Sequence, residues 1–320
     1  MLCWFFPAGG RRVELITLFK ELGKVIVGDV APIAPTLYFA DEPILLPPMK
    51  DDRCLSFLID TCKRKRVSAV IPLIDPEIVF LAKNKDVFSA ESVMPIVSGL
   101  DSAEIGSDKL ATYEFFRKIG IPTPRTALLE EHPSFIASTA FPLILKPRFG
   151  SAGQGIYVCA DENELSFWAD KLRGLDYILQ EMLGGDEITI DGFSTGDGVL
   201  VQAVQRKRLK VRSGEVERAV TVKKPLLFEY MEHIAANLRP FGPFNVQVFS
   251  AGDRFGFTEI NLRFGGGYPL AHRAGARFPE LVRDLFLGRT IKTRVGNYQE
   301  GLYMLRYDSA VYTTCLVEDF

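Results

Sequence analysis

Polar and apolar residues alternate over two neighbouring segments in the last third of the chain. The segments are Asn245–Ser250 and Phe255–Leu262, and Ala251-Gly252-Asp253 separates them. Strict alternation is typical of a β-strand with one buried face, and glycine supplies the tight bend of a hairpin. The pattern therefore predicts an antiparallel hairpin.

The polar positions of this predicted hairpin fall on shared faces, because successive side chains of a strand point to opposite sides. The residues concerned are Asn245 and Gln247 on the first strand, and Glu259, Asn261 and Arg263 on the second. Carboxylate and amide oxygens suit Mg²⁺, which binds one or two carboxylates together with substrate phosphates. The run Gly265-Gly266-Gly267 follows, where backbone amides approach an anion closely. We interpret this face as a metal site rather than as a solvated sheet surface.

The first hundred residues alternate between apolar runs and amphipathic stretches. Such βα alternation predicts a parallel sheet with helices on both faces. The predicted strands are Leu2–Phe6, Lys24–Val27, Val67–Leu73 and Val93–Val97, and the helices include Asp52–Lys65 and Pro76–Lys85. The start of this segment resembles a dinucleotide fold, because a strand, a glycine turn and a helix are followed by a second strand that ends at Asp29. The full G-x-G-x-x-G fingerprint is absent. A scaffold that binds no dinucleotide is therefore favoured over an NAD site.

Two acidic residues follow the third of these strands in the motif P-L-I-D-P-E. Asp75 and Glu77 are predicted at the carboxyl end of the strand, where open α/β sheets bind ligands. They are equally suited to orient an amine substrate or to cap the next helix. Both interpretations stay open.

A second chemical signal lies in the run L-I-L-K-P-R-F-G-S-A-G-Q-G-I-Y-V, which follows an amphipathic helix predicted over Asp101–Ile119. Predicted strands Phe141–Lys146 and Gly155–Cys159 enclose a glycine-rich loop. A lysine at a strand end neutralises phosphate oxygens, and glycine-rich backbone folds over them. The run is not a Walker-type phosphate loop.

Bulk composition excludes several classes of protein. The 320 residues are 47% hydrophobic and 24% charged with a net charge of −2, as in a folded soluble protein with no global basic field for nucleic acid. Five scattered cysteines without a C-x-x-C pair indicate reduced thiols. We find neither a signal peptide nor a stretch of membrane-spanning length, so we expect a cytoplasmic protein.

The hairpin and the glycine-rich run together resemble the ATP-grasp superfamily. The family's E-x-N-x-R run is matched by Glu259, Asn261 and Arg263, and its carbamoyl-phosphate-synthase-like branch has a metal-binding glutamine matched by Gln247. The resemblance implies an α/β and α+β protein with three parts: a Rossmann-like pre-ATP-grasp domain at 1–103, a lid subdomain at 104–183, and a mainly antiparallel metal- and substrate-binding subdomain at 184–320.

The same resemblance implies roles for individual residues. The metal ligands are Gln247, Glu259 and Asn261, and the catalytic cations are Arg263 and, as a contact to the γ-phosphate or the substrate, Arg212. Arg218 is an alternative to Arg212. The nucleotide contacts are Lys109, Lys146, Gly150, Ser151, Ala152, Gly153, Glu181, Met182, Leu183 and Glu187. The implied cofactors are ATP and two Mg²⁺ ions, with Mn²⁺ as the alternative metal.

The activity implied is ATP-dependent ligation of a carboxylate to an amine or ammonia through an acyl phosphate. The partners are then two small molecules, without nucleic acid or membrane, and a homodimer stays open. Carbamoyl-phosphate synthase large subunits carry two ATP-grasp halves and this chain holds one, so a stand-alone ligase is favoured over a carbamoyl-phosphate-synthase-related subunit. A non-catalytic ATP sensor is a further alternative, against which the intact Glu259, Asn261 and Arg263 set counts. An NAD-dependent dehydrogenase ranks last.

Overall fold

The computed structural model describes residues 1–150, 153–212 and 214–318. It begins with a five-stranded, all-parallel sheet in the order β3-β2-β1-β4-β5. The strands are β1 Cys3–Phe6, β2 Lys24–Asp29, β3 Glu42–Leu45, β4 Ala69–Val70 and β5 Met94–Pro95. The helices between them are α1 Val13–Lys20, α2 Cys54–Lys65, α3 Asp75–Lys83 and α4 Lys85–Ala90, with a 3₁₀ turn at Pro35–Tyr38. The predicted parallel α/β domain is confirmed.

Two helices occupy the segment for which the sequence predicted one. They are α5 Leu100–Ser107 and α6 Lys109–Lys118. Asp108 divides them because its extended backbone and its carboxylate cap the second helix, accepting hydrogen bonds from the backbone N–H groups of Leu110 (2.9 Å) and Ala111 (3.4 Å). Lys109 therefore opens a helix instead of lying within one, and the prediction of a continuous helix was wrong.

A four-stranded antiparallel sheet follows in the order β6-β9-β7-β8. Its elements are β6 Thr126–Leu128, α7 His132–Ile136, β7 Leu143–Pro147, β8 Tyr157–Cys159, α8 Glu162–Lys171 and β9 Tyr177–Glu181, with a 3₁₀ turn at Leu129–Glu131. It has an apolar core of its own, which includes Leu143, Leu145, Leu165 and Leu179. We call this unit the small sheet.

The last third of the chain forms a six-stranded antiparallel sheet in the order β14-β13-β10-β11-β12-β15. Its strands are β10 Asp186–Thr195, β11 Leu200–Arg212, β12 Glu215–Val222, β13 Phe241–Ala251, β14 Arg254–Asn261 and β15 Tyr303–Leu305. The helices are α9 Pro225–Leu238, α10 Tyr268–Arg273 and α11 Phe278–Phe286. The last strand ends at Leu305, and the residues after it are mostly exposed.

Two large apolar clusters join the parallel sheet to the antiparallel one. One contains Phe5 and Val70 with Phe244 and Phe257, and the other contains Phe6 and Phe19 with Phe264. Burial of such large side chains stabilises the two units as one body. The site between them is therefore built on a rigid base.

The structure bears on two expectations from the composition, the lack of a membrane-spanning segment and the reduced state of the cysteines. No helix in the ranges described combines the length and the apolar character needed to cross a bilayer. All five cysteines are free thiols, and four of them are buried.

Glu77 resolves one of the alternatives left open by the sequence. Its side chain is fully buried, and its Oε2 accepts hydrogen bonds from the backbone N–H groups of Leu73 (2.8 Å) and Ile74 (3.3 Å), which caps α3. Burial raises the pKa of Glu77 from 4.5 to about 8; the backbone donors and Arg263 oppose that rise, and Asp29 adds to it. Glu77 is a buried helix cap, out of reach of a substrate.

We expect the pH dependence of unfolding to report this carboxyl group. Between the unfolded pKa near 4.5 and the folded pKa near 8, the folded state holds a proton that the unfolded state lacks, so stability falls as pH rises through that window. Glu77→Gln keeps an acceptor for the cap and removes the titration. We compare the free energy of unfolding in urea of this variant with that of wild type. The difference should favour the variant by ~1–2 kcal/mol more at pH 8.5 than at pH 5. Each pKa unit is worth ~1.4 kcal/mol, and structural relaxation reduces the effect. A pH-independent difference would contradict the assignment.

Candidate functional site

Two connected cavities lie where the parallel sheet, the small sheet and the antiparallel sheet meet. The large cleft, of about 870 Å³, is lined by residues of all three units, among them Asp75, Lys109, Lys146, Glu187, Gln247 and Glu259. The arginine cavity, of about 110 Å³, is lined by Arg12, Arg206, Arg208 and Arg263, and by Asn245, Asn261, Glu215 and Gly265-Gly266-Gly267. Both cavities share Arg208, Gly214, Gln247 and Glu259. The large cleft has the volume of a small-molecule pocket.

The predicted hairpin register brings the polar face together. Gln247 lies opposite Glu259, and Asn245 lies opposite Asn261, with a β-bulge after Gln247. Asn261 Nδ2 donates to Asn245 Oδ1 (3.3 Å), and Asn245 Nδ2 donates to the backbone oxygen of Arg263 (3.1 Å). Gln247 and Glu259 therefore face the junction of the two cavities, with Asn261 held beside them.

Arg263 connects the hairpin to the parallel sheet. Its Nε donates to Asp75 Oδ1 (2.6 Å), and its Nη2 donates to Asp75 Oδ2 (3.3 Å) and to Asn261 Oδ1 (3.1 Å). The guanidinium is almost wholly buried. Asp75 thus orients Arg263 and lines the large cleft, and its role toward a substrate stays a prediction.

Two lysines reach the large cleft from different units. Lys146 ends the buried part of β7, and its ammonium lies 3.9 Å from Glu259 Oε1. Burial lowers the pKa of Lys146, with Lys109 acting in the same direction and Glu259 against it. Lys109 Nζ donates to the backbone oxygen of Gly150 (2.6 Å). A buried ammonium whose carboxylate partner lies so far away is suited to an incoming anion such as phosphate.

Glu187 lines the same cleft opposite the lysines. Arg208 Nη1 donates to Glu187 Oε1 (2.7 Å), and Arg208 Nε donates to Thr189 Oγ1 (3.1 Å). Burial raises the pKa of Glu187; Arg208 lowers it and Glu259 raises it further. The two carboxylates Glu187 and Glu259 are therefore close enough to interact.

The described residues contain no cluster of three or more His, Cys, Asp or Glu side chains suited to a metal. A metal at this face must draw on amide oxygens and on ligand phosphates as well as on carboxylate. Glu259, Gln247 and Asn261 offer that oxygen set, and an amide oxygen has two lone pairs, so Asn261 Oδ1 still has acceptor capacity beside Arg263. The residues fit Mg²⁺.

Several predicted site residues do not join this constellation. Arg212 is half-exposed and pairs with Asp308 (2.5 Å), and Arg218 is exposed beside Leu305 at the far edge of the sheet. The described lining of both cavities includes neither of them, and the role expected for Arg212 stays a prediction. Val211 and Gly214, on either side along the chain, line the large cleft, and Arg208 on the same strand lines both cavities.

The predicted adenine segment lies beside the cleft. Glu181 Oε2 accepts from the backbone N–H of Arg125 (2.8 Å), and Met182 is half-exposed. Within the described residues, Gln180 is the neighbour that lines the cleft, and Glu181, Met182 and Leu183 do not. Gly150 and Gly153 line the cleft, and their predicted contact with a nucleotide stays a prediction; Ser151 and Ala152 lie outside the described residues.

Three arginines of the site were not predicted from the sequence. Arg12 precedes the first residue of α1, and Arg206 and Arg208 belong to a basic run on β11. Their two-residue spacing places them on one face of β11, and that spacing was the available signal. Arg206 is 1% exposed and pairs with Asp191, its Nε 2.5 Å from Asp191 Oδ2.

The glycine turn after β1 is filled by the protein itself. Asp29 Oδ2 accepts from the backbone N–H of Gly10 (3.0 Å), and Thr36 Oγ1 donates to the Gly10 oxygen (3.0 Å). A Cβ added to Gly9 would lie 2.3 Å from Thr36 Oγ1. The acid and the turn that a dinucleotide would need are therefore bonded to each other, which removes the argument for an NAD site.

Two family models match the chain. A model described as "PylC-like, N-terminal domain" matches residues 5–96, and one described as "ATP-grasp in the biosynthetic pathway with Ter operon" matches residues 174–308. The second match covers the six-stranded sheet and the hairpin. The first covers the parallel sheet.

The chain is also similar to curated proteins over most of its length. The carbamoyl phosphate synthase large chain of Clostridium beijerinckii is 20% identical over 298 residues, which is 88% of this chain and 27% of that protein. The 3-methyl-D-ornithine–L-lysine ligase of Methanosarcina acetivorans is 27% identical over 269 residues, 82% of this chain and 67% of that protein. The chain thus spans about a quarter of the former and two thirds of the latter.

Solved structures share the fold. The biotin carboxylase domain of Hydrogenobacter thermophilus 2-oxoglutarate carboxylase, a dimer with MgADP, ADP and bicarbonate, superposes with a TM-score of 0.77 at 17% identity, covering 94% of this chain and 73% of that one. N5-carboxyaminoimidazole synthetase of Staphylococcus aureus with ADP gives 0.75 at 15% identity, covering 91% and 79%.

Proposed function

We propose that the chain is an ATP-grasp protein, an ATP-dependent carboxylate–amine ligase that works through an acyl phosphate, as its match to the ATP-grasp family model and its similarity to a curated ligase support. The observation that carries the proposal is the junction of the two cavities. An oxygen-rich face and a buried lysine stand between a cleft large enough for a nucleotide and a small cavity rich in arginine. Phosphoryl transfer from one cavity to the other needs that arrangement.

In the first step a carboxylate oxygen of the acid attacks the γ-phosphorus of ATP, and ADP leaves. Lys146 and Lys109 line the cleft and hold phosphate oxygens there. Mg²⁺, for which two ions are our proposal and Mn²⁺ an alternative, would neutralise the phosphates when bound by Gln247, Glu259 and Asn261. Catalysis of this kind depends on positioning and electrostatics.

In the second step the amine attacks the acyl carbon, and phosphate leaves. Negative charge develops on the former carboxyl oxygen. Arg263 stands in the arginine cavity with its orientation fixed by Asp75 and Asn261, so its guanidinium is preorganised to stabilise that charge. Arg208, which lines both cavities and donates to Glu187, is a further candidate beside Arg212 for the contact to the γ-phosphate or the substrate.

Other features of the protein belong to the same proposal. We propose boundaries at 103/104 and 183/184, contacts of Glu181, Met182 and Leu183 with adenine and of Glu187 with ribose, and closure of Gly150 and Gly153 over the phosphates. The partners are a small acid and an amine. We also propose a cytoplasmic location. We further propose a homodimer, which the dimer described for the biotin carboxylase domain supports.

We expect the purified chain to bind Mg²⁺–ATP in preference to NADH and to release ADP only when an acid is present. Hydroxylamine captures acyl phosphates as hydroxamates, so ADP and hydroxamate should form in equal amounts across a panel of acids. Melting measurements should show ~2.7 kcal/mol of stabilisation at 100 times Kd for ATP. Stabilisation by NADH alone would contradict the proposal, and tight ATP binding without turnover by any acid would favour the sensor.

A further inference from the structure

The arginine cavity holds more positive charge than its own carboxylates neutralise. The ionic residues of its wall and their described ion-pair partners comprise six cations and five carboxylates. The cations are Arg12, Arg206, Arg208, Arg263, Lys146 and Arg306, and the carboxylates are Glu215, Glu259, Asp191, Glu187 and Asp75. One positive charge is left over, which is the complement of one carboxylate group.

Two guanidinium nitrogens in this wall have no hydrogen-bond partner among the described residues. They are Arg12 Nη1 and Arg206 Nη1, and both are buried. Arg206 uses its Nε and Nη2 on Asp191, so only the third nitrogen is unused. A buried donor without an acceptor costs free energy, and an absent ligand is one of the few explanations for such an atom.

Arg12 is held without a close counter-ion. Its Nε lies 3.9 Å from Glu215 Oε1, and Glu215 itself is paired with Arg306 (3.2 Å). Burial lowers the pKa of Arg12 to about 10, with Arg263 and Arg306 acting in the same direction. Such crowding of like charges is relieved when an anion binds between them.

The lining of the two cavities suggests that these donors are at the end of the arginine cavity away from the large cleft. Arg12 and Arg206 line the arginine cavity alone, whereas Gln247 and Glu259 line both cavities. Gly267 is needed at this end, because a Cβ added there would lie 2.1 Å from Arg206 Nη1. A carboxylate bound here is separated from the point where the phosphoryl group arrives.

We propose that Arg12 Nη1 and Arg206 Nη1 bind a second, non-reacting carboxylate, so that the acid substrate is a short dicarboxylate. This rests on the ligase function proposed above. One carboxylate reacts at the shared end, beside Glu259 and Arg263, and the other is anchored at the far end. The cavity of about 110 Å³ limits the acid to a short chain. The surrounding guanidinium groups disfavour a substrate that carries an ammonium group there.

The test compares acids that differ only in the second carboxylate. Succinate is paired with butyrate and glutarate with pentanoate, and malonate is added as the shortest member. Binding to the full-length protein is measured by calorimetry with Mg²⁺ and a non-hydrolysable ATP analogue present. We expect a dicarboxylate to bind at least ~30-fold more tightly than its matched monocarboxylate, the effect of a charge-assisted hydrogen bond.

Variants of Arg12 and of its neighbour Arg11 show whether Arg12 causes the preference for a dicarboxylate. Arg12→Gln should weaken the dicarboxylate ~30-fold and leave the monocarboxylate and the ATP analogue within about twofold, since only the anchor loses a donor. Arg12→Lys keeps the charge and should recover part of the loss. The exposed neighbour Arg11 provides the matched control, and Arg11→Gln should bind like wild type.

The outcomes separate this inference from the ligase proposal. If a dicarboxylate binds in a way that depends on Arg12 but no acid causes ADP release, the proposed carboxylate anchor is supported and the ligase function is contradicted. If monocarboxylates cause ADP release as effectively as dicarboxylates, the ligase function is supported and the proposed carboxylate anchor is contradicted. The anchor is equally overturned if no dicarboxylate binds, or if Arg12→Gln weakens both members of a pair to the same extent.

Discussion

Glu259→Gln is expected to slow acid-dependent ADP formation at least ~100-fold, which corresponds to ~2.7 kcal/mol of transition-state stabilisation at ~1.4 kcal/mol per factor of ten. The substitution keeps the size of the side chain and one oxygen that can bind a metal. It removes the only carboxylate of the oxygen set formed with Gln247 and Asn261. Metal stabilisation of a transferring phosphoryl group is worth several kcal/mol, so a loss of this size is reasonable.

The same change should have little effect on folding or on nucleotide affinity. Glu259 is partly exposed, and its described ion pair with Lys146 is long at 3.9 Å. Removing its charge leaves Lys146 in the cleft, where phosphate oxygens are its natural partners. ATP binding measured beside turnover should therefore fall only a few-fold, and the melting temperature should stay within a few degrees.

A matched variant controls for the loss of one negative charge. Glu229 lies exposed on α9, away from both cavities, and Glu229→Gln should turn over at the wild-type rate. If Glu259→Gln were as active as Glu229→Gln, the metal assignment would fail. If it lost ATP binding altogether, the carboxylate would belong to nucleotide recognition rather than to the chemical step.

The part of the site that lies within one hairpin could be predicted from the sequence. Glu259 and Gln247 are brought opposite each other by a short turn and by alternation, and both are local properties of a strand pair. Lys146 at the end of an apolar strand before a glycine-rich loop is a local signal of the same kind. These residues line the cleft as the pattern predicted.

The part that depends on packing between distant segments could not be predicted in this way. Arg12 reaches the cavity because α1 packs against α10, while Asp75 reaches Arg263 from the opposite end of the chain. No periodicity encodes those contacts. The basic residues of β11 show a related limit: alternation shows which of them share a face, but the position along the strand at which that face becomes buried is set by the other units.

Asp191→Asn is expected to destabilise the protein by ~3–5 kcal/mol, the cost of leaving one member of a buried ion pair without its partner. Asp191 and Arg206 are both 1% exposed, and the Asn side chain cannot neutralise the guanidinium. Arg206 Nη1 is already without an acceptor, so the residue would keep a full buried charge with no compensation. Urea unfolding at constant pH measures the loss.

Two further variants serve as controls for the expected loss of stability in Asp191→Asn. Asp170→Asn breaks the exposed pair of Asp170 and Arg173, whose side chains are 75% and 80% exposed, and should cost less than ~0.5 kcal/mol. The double variant Asp191→Leu with Arg206→Met replaces both charges by apolar groups of similar volume and should recover most of the stability. A loss below ~1 kcal/mol for Asp191→Asn would show that water or a counter-ion reaches Arg206.

The double variant also separates stability from recognition. If the buried pair served folding alone, a chain that recovers its stability without Arg206 would still prefer a dicarboxylate over its matched monocarboxylate. We expect the opposite: the double variant should be folded and should bind the ATP analogue, but it should lose most of the preference for the second carboxylate. Arg206 would then be retained for the nitrogen that it holds toward the cavity, with Asp191 as the residue that keeps that nitrogen in place.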